Sequence, residues 1–423
     1  MAMTSEPMAT PDHDSAVPGF APGNTPRDNT RALQAAVDRG GRVVVTRPGV
    51  YDVGNTVLVG SRSAVEFAPG VVLRKVADPE PFTHVLLNRG AVTGQTDEDI
   101  TVRGLHVAVN GVDHRFREVY GLRGQLALFR VRRAHIDGFT CLDLGPQQFA
   151  LHVCTFEDLL VENVHIVGRK DGVHLGRGRR FLIRRGTFQT HDDAVALNAH
   201  DYAKSNPELG WIEDGVVEHC HDLPHSDRPT GFFCRILAGS WGPWRAGMEL
   251  QHSDSVVHAG RVYRVHAEPD GRTYVSHTPP THEHGTVEHE GIRWAMVQPD
   301  GETGAGVRNV TLENVRVLHD AAHPLVRLNT PVDVLTVAGG VLRRNPVRLD
   351  RCQGGGATPV VVNLRGCTWD ADGPTPVLEV AEGHAQATVR ASGCVATGAA
   401  FEPVFGGAGA GAGVTVTGEW PGR

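Results

Sequence analysis

Between residues 156 and 197 the chain alternates apolar and polar positions in short runs, each ended by glycine, asparagine or a charged turn. The stretch FEDLLVENVHIVGRKDGVHL lies over GRRFLIRRGTFQTHDDAVAL at a shift of 22 residues. At that shift Val161 meets Ile183, Val164 meets Gly186, Ile166 meets Phe188, Val173 meets Val195 and Leu175 meets Leu197. Period-two alternation marks strands, and a fixed repeat marks stacked units. The pattern returns more loosely as FRVRRAHIDGFTCLDLGPQQFALHV upstream, and downstream as GWIEDGVVEHCHD, VRNVTLENVRVLHDAAHPLVRL, VDVLTVAGGVLRRNPVRL and VVNLRGCTWDADGPTPVLEV. One such unit cannot bury its apolar face alone. Stacking at about 4.8 Å gives a continuous core and parallel pairing, so the predicted fold is all-β, a right-handed parallel β-helix. A β-propeller would need longer, hairpin-linked units.

The segment DNTRALQAAVDRGG predicts a short amphipathic helix, with Asp28 or Asn29 as N-cap and Gly40 as stop, whose Leu33, Ala36 and Val37 cover the first coil. Between Trp241 and Gly306 the rhythm breaks: paired prolines and the Asp270-Gly271 hairpin signal predict an inserted antiparallel β module. Its Trp244, Tyr263, Tyr274 and Trp294 either stack on sugar faces or form the module's own core. The expected organisation is a flexible segment over 1–24, cap and coils over 25–240, the insertion over 241–305, further coils over 306–404 and a mobile Gly/Ala-rich tail over 405–423.

Composition narrows the function. With 51 Gly, 26 Pro and 6% aromatics, helical bundles are excluded and strands with tight turns favoured. A net charge of −7 without a basic run gives no footprint for nucleic acid or an anionic membrane. The N-terminus lacks a secretory pattern and no apolar run reaches 18 residues, which predicts a cytoplasmic protein. Seven cysteines without metal-ligand spacing read as buried free thiols. The His282-Glu283-His284 alternation with His289 describes a solvated strand as well as a ligand set, so neither metal nor cofactor is expected.

The candidate chemistry lies in the repeat. The shift of 22 places Lys170 over Asp192 and Asp171 over Asp193, gathering three carboxylates on adjacent turns. Carboxylates this close cannot all ionise freely, and one acid held protonated beside another ionised is what hydrolysis of a glycosidic bond requires. Continuing the superposition with Ile212 over Ile183 puts His221 above Asp192. Such turn acids also form ladders that only satisfy backbone groups.

The turns KDGVHL and HDDAVAL resemble those of the polygalacturonase-type glycoside hydrolases of family 28, where an Asn-Thr-Asp-Gly turn precedes a Gly-Asp-Asp turn. The opening DNTRALQAAVD, GGRVVV and PGVYDV is similar to that of the wider pectate-lyase-like superfamily, and the resemblance covers roughly residues 25 to 240. It implies an inverting hydrolase in which Asp192 protonates the leaving oxygen while Asp171 and Asp193 activate water. The family's Gly-His-Gly histidine matches His221 by coil position. An alternative register puts Gly231-Phe232-Phe233 there and loses the histidine. The family's Arg-Ile-Lys turn finds Arg235-Ile236-Leu237, without its lysine. Arg235 shares an outward strand column with His152, His174, Arg327 and Arg348, and Lys170 replaces the motif's asparagine. His221, Arg235, Lys170, His174, Arg327, Trp244 and Trp294 are therefore the candidate substrate contacts, and a plant- or microbe-derived carbohydrate is the expected partner. Two readings compete. A β-helix lyase would use Lys170 or Arg235 as base with calcium on the three aspartates. A non-catalytic, tailspike-like protein would bind saccharide through the insertion.

Overall fold

The computed structural model describes residues 17–114, 119, 121–201, 205–225, 231–266, 272–299, 301, 303–319, 325–329, 332–343, 347–350, 360–370, 378–380, 387–397 and 414–418. Coil after coil adds one strand to each of three parallel ladders, forming a right-handed parallel β-helix. In one coil, Gly178–Arg184 lies on the first face, Thr187–Thr190 on the second and Val195–Asn198 on the third. The chain then returns to the first face as Ile212–Glu218. Two strands, Gly124–Asp137 and Phe149–Glu162, run from the third face into the first without a break.

Alternation decides which side chains turn inward. Val161, Ile183, Val217, Leu312 and Val337 stack rung on rung along the first face and are fully buried. Burying a side chain of this size is worth about 1.5–3 kcal/mol, so each coil is stabilised chiefly by its neighbours. The corner between first and second faces is a single left-handed residue, as at Asn163, Arg185, His219 and Asn314, with φ of 57°, 55°, 52° and 50°. Further on, Gly339, Gly366 and Gly393 take this corner at φ of 65°, 59° and 60°, where a side chain carries the usual left-handed strain.

Outside, the first face carries charge in strict alternation. Glu98, Arg132, Glu157, Arg179, Glu213 and Arg308 follow one another in register, one per coil. Arg132 reaches Glu98 and Glu157 at 3.5 Å each, and Arg179 reaches Glu157 at 2.9 Å. Beside them Asp99, Arg133, Asp158, Arg180, Asp214 and Asn309 all have positive φ, with ion pairs of 2.7 Å at Arg133–Asp99 and 2.6 Å at Arg180–Asp158.

The cap helix spans Pro26–Asp38, and its N-cap is Thr25, whose hydroxyl accepts from the Asp28 N–H at 3.2 Å. It starts earlier than the expected Asp28 or Asn29 because Pro26 presets the first helical turn. Leu33, Ala36 and Val37 are buried against the first coil as expected. The N-terminal segment is packed from residue 17: Val17 and Phe20 are buried, and Phe20 stacks on Tyr51 at 4.4 Å. The expected mobile tail also contributes structure, because Val414–Gly418 pairs in parallel with Ala387–Ala391 and extends the first face. Its Val-Thr-Val-Thr alternation supplies the strand.

The insertion leaves the third face after Cys234–Leu237 and is closed by Gly239–Ser240 pairing antiparallel to Gly304–Ala305. Within it, Ser255–His258, Arg261–Val265, Ile292–Gln298 and Thr286–His289 form an antiparallel sheet. Its core joins Leu250, Val256, Tyr263, Val265, Ile292 and Trp294. The Asp270-Gly271 signal lies outside the described residues.

Candidate active site

The turn joining second and third faces carries the three aspartates. Val173 pairs with Val195, which sets Asp171 beside Asp193 and Lys170 beside Asp192 in adjacent coils. The next rung is Gly231-Phe232: the Gly231 N–H donates to the His191 carbonyl at 2.7 Å, and the Ala194 N–H to the Phe232 carbonyl at 3.0 Å. A Cβ on residue 231 would lie 2.0 Å from the Asp192 carbonyl carbon, so only glycine allows this approach. Asp171, Asp192 and Asp193 each bring a carboxylate oxygen within 4.8 Å of the others. Asp171 and Asp193 are buried, whereas the side chains of Asp192 and Lys170 retain 23% and 22% exposure, so the latter two meet solvent.

Each acid has a different environment. The Lys170 ammonium donates to Asp192 Oδ2 and lies 3.8 Å from Asp171 Oδ1. Asp171 Oδ2 lies 2.7 Å from His174 Nδ1. Burial pushes the Asp171 carboxyl up, but Lys170 and the His174 hydrogen bond outweigh it and hold the group below its ordinary value. Asp193 has no such partner. Burial, reinforced by the Asp171 charge, pushes it up to about 7, although Arg235 and the Phe232 N–H, at 3.1 Å from Oδ1, pull the other way. The pair therefore holds a proton on Asp193 beside an ionised Asp171.

Further buried groups hold this arrangement, and they lie beyond the reach of the repeat. His174 Nε2 is 3.4 Å from Asp201, and its ring stacks on Phe149 at 4.0 Å. His152 lies edge-on to His174 at 4.7 Å, with Nε2 3.0 Å from Asn206 Oδ1. Burial, with the His174 and Arg123 charges, keeps His152 well below its ordinary pKa. Arg123 donates to Ser205 at 3.1 Å and lies over Phe149 at 4.6 Å. Asp201, Ser205 and Asn206 belong to the extra length between Asn198 and Trp211, and their side chains meet His174, Arg123 and His152. Surplus length relative to the repeat was the available signal for them.

Several expected contacts fall elsewhere. Ile212 stacks on Gly178, not on Ile183, and His221 pairs with Thr187 on the second face. The register with Gly231-Phe232-Phe233 holds and His221 is removed from the acids, because the segment after Asn198 lengthens the coil. His221 instead lines a groove of about 820 Å³ with Arg185, His219 and Arg316. His174 does share a column with Arg235, Arg327 and Arg348, but it is wholly buried and cannot touch a ligand. Arg235 is half-buried and acts electrostatically on Asp193. The backbone of Arg327 lies over Arg235, and its side chain lies outside the described residues. Trp294 is fully buried in the insertion's core. Trp244 packs against that core and donates from Nε1 to Ser276 Oγ at 2.9 Å. With so little else to bury, the small module takes its aromatics for itself.

Among the described residues, two groups bring potential metal ligands together: the three aspartates, and His135 with Asp137 and Glu162. In the first, Lys170 supplies the positive charge. In the second, Glu162 is taken by Arg184 and Arg185.

No protein-family model matches the chain, and no curated protein matches it in sequence. Solved structures do match in shape. The A-module of a mannuronan C-5 epimerase from Azotobacter vinelandii is 11% identical with a TM-score of 0.54, over 96% of this chain and 96% of that one. An exopolygalacturonase from Thermotoga maritima is 13% identical with a TM-score of 0.46, over 92% and 88%. A tailspike protein of E. coli bacteriophage HK620 is 12% identical with a TM-score of 0.47, over 89% of this chain, which spans only 64% of the tailspike chain. At these identities the likeness is one of fold, and that fold is the right-handed parallel β-helix.

Proposed function

We propose that the protein is a glycoside hydrolase acting on a polysaccharide or oligosaccharide by acid/base chemistry at the aspartate cluster. The observation that carries this reading is the split between two buried acids, Asp193 raised to about 7 and Asp171 held down, beneath a partly exposed Asp192. Environments that separate the pKa values of neighbouring carboxyls are the means by which one site holds both an acid and a base. In this reading the proton stored on Asp193 passes to Asp192, which meets the glycosidic oxygen and delivers it. Asp171 accepts a proton from water and returns it to Asp193, so the cluster never carries three charges. Lys170 steadies Asp192, and Arg235 offers a cation to sugar hydroxyls or a uronate carboxylate. The fold likeness to a mannuronan C-5 epimerase is in keeping with a carbohydrate substrate.

The test is to incubate the protein with a panel of neutral and uronate-containing oligosaccharides and follow new reducing ends. Asp192→Asn should lower the rate by about 10²- to 10⁴-fold, the usual weight of a positioned acid, while saccharide binding persists. Unsaturated uronate products would instead establish a lyase. Binding by the parent protein without bond cleavage would establish the tailspike-like alternative.

A further inference from the structure

The inward column that follows the left-handed corner carries cysteines on two successive rungs. Cys367 follows Gly366 and Cys394 follows Gly393, and both glycines occupy the corner position. The flanking register leaves no freedom: Arg365 pairs with Ser392, and Thr368 with Val395. The Gly366 N–H donates to the Ser392 carbonyl, and the Val395 N–H to the Cys367 carbonyl, each at 2.9 Å. Cys367 and Cys394 are thus neighbours across one ladder step of about 4.8 Å, inside the Cα range of about 4.4–6.8 Å that a disulfide spans. Each thiol rests on a backbone carbonyl, Cys367 on that of Val337 at 3.5 Å and Cys394 on that of Ser392 at 3.7 Å. Cys367 is fully buried, and Cys394 is half-exposed.

We propose that Cys367 and Cys394 are a site of oxidative cross-linking, forming a disulfide between adjacent coils. The oxidant is a low-molecular-weight disulfide such as oxidised glutathione. The Cys394 thiolate attacks one sulfur of that disulfide, forming a mixed disulfide and releasing one small thiolate. The Cys367 sulfur then displaces the second small thiolate from Cys394, and the two protein thiol protons end on the two released thiols. The asymmetry between the cysteines suits this order. The neighbouring Cys367 thiol holds the Cys394 thiol down to about 6, whereas Cys367 is pushed above its ordinary range by Cys394 and by burial. The segment between them runs through Thr368–Asp370, Leu378–Val380 and Ala387–Ser392, one strand on each face. The bond therefore closes a single coil into a covalent ring.

The test uses the full chain equilibrated in glutathione buffers from fully reduced to fully oxidised, then denatured, alkylated and digested with trypsin. Cleavage after Arg365 and Arg390 puts Cys367 and Cys394 in separate peptides that contain no other cysteine. The expected result is one linked peptide pair that grows with the oxidised fraction and is abolished by dithiothreitol. The oxidised protein should also melt several degrees above the reduced one, and Cys394→Ala should remove that difference. Alkylation of both cysteines at the most oxidising ratio would overturn the proposal. So would recovery of Cys394 as a lasting glutathione adduct, or joined to a different cysteine.

Discussion

Asp193→Asn is expected to stabilise the protein at alkaline pH while removing its activity. The buried carboxyl has a folded-state pKa of about 7 against an ordinary 3.8. Because the folded value is the higher, the folded state binds more protons than the unfolded chain between those limits, and stability falls as pH rises through them. Below about pH 4 both states hold the proton and the group costs nothing; above about pH 7 the full cost is present. Roughly three pKa units at about 1.4 kcal/mol each amount to about 4 kcal/mol. Asparagine has nearly the same volume, keeps an oxygen for the Phe232 N–H at 3.1 Å and does not ionise. Asp171 has the opposite sign: its depressed pKa adds stability that is lost in acid, but it is present in both proteins. Urea-unfolding midpoints measured from about pH 4 to pH 9 should therefore show a gap between variant and parent that opens with pH, toward about 4 kcal/mol. A gap that stays flat across this range, or a variant less stable than the parent at pH 8, refutes the assignment of the stored proton to Asp193.

Replacing Lys170 by Met removes the cation from the aspartate cluster, so calcium should raise the melting temperature of Lys170→Met and leave the parent unchanged. If calcium affects neither protein, the three carboxylates do not form a cation cage. Trp294→Ala should cost about 3–5 kcal/mol, read as early unfolding of the insertion, without weakening saccharide binding in calorimetry, since the ring is fully buried. Arg308→Glu places like charge beside Glu213 and Asp333 and should cost about 1 kcal/mol at low salt, shrinking in 1 M salt, whereas Arg308→Lys should cost less. Gly215→Ala should destabilise more than a surface change does, because the added Cβ would lie 1.9 Å from the Phe181 ring.

The coils were legible where consecutive units have equal length. Val161 does lie over Ile183, Ile166 over Phe188 and Val173 over Val195, because nothing is inserted between those faces. The aspartate cluster followed from the same register. The reading failed where corners lengthen. Residues added after Asn198 shift the following coil, so Ile212 rests on Gly178 and His221 moves to another face. Alternation reports which side of a strand a residue occupies and not what later folds over it. His174 is on the outward side as expected, yet Asp201 and Asn206 roof that surface and turn a candidate contact into a buried support. Trp294 shows the same limit in the insertion, where an aromatic residue suited to a sugar face is needed to fill a small core.

The alternating outer charges of the first face give the solenoid a parity. Inner columns of valine, leucine and isoleucine would accept the loss of one coil almost unchanged, since one apolar rung replaces another. The outside would not. Excising the coil that carries Glu157 and Asp158 would bring Arg132 against Arg179 and Arg133 against Arg180, with repulsion in two adjacent columns. Excising two coils restores every opposite pair. In this part of the helix the unit of growth is therefore the pair of coils, although the structural repeat is one.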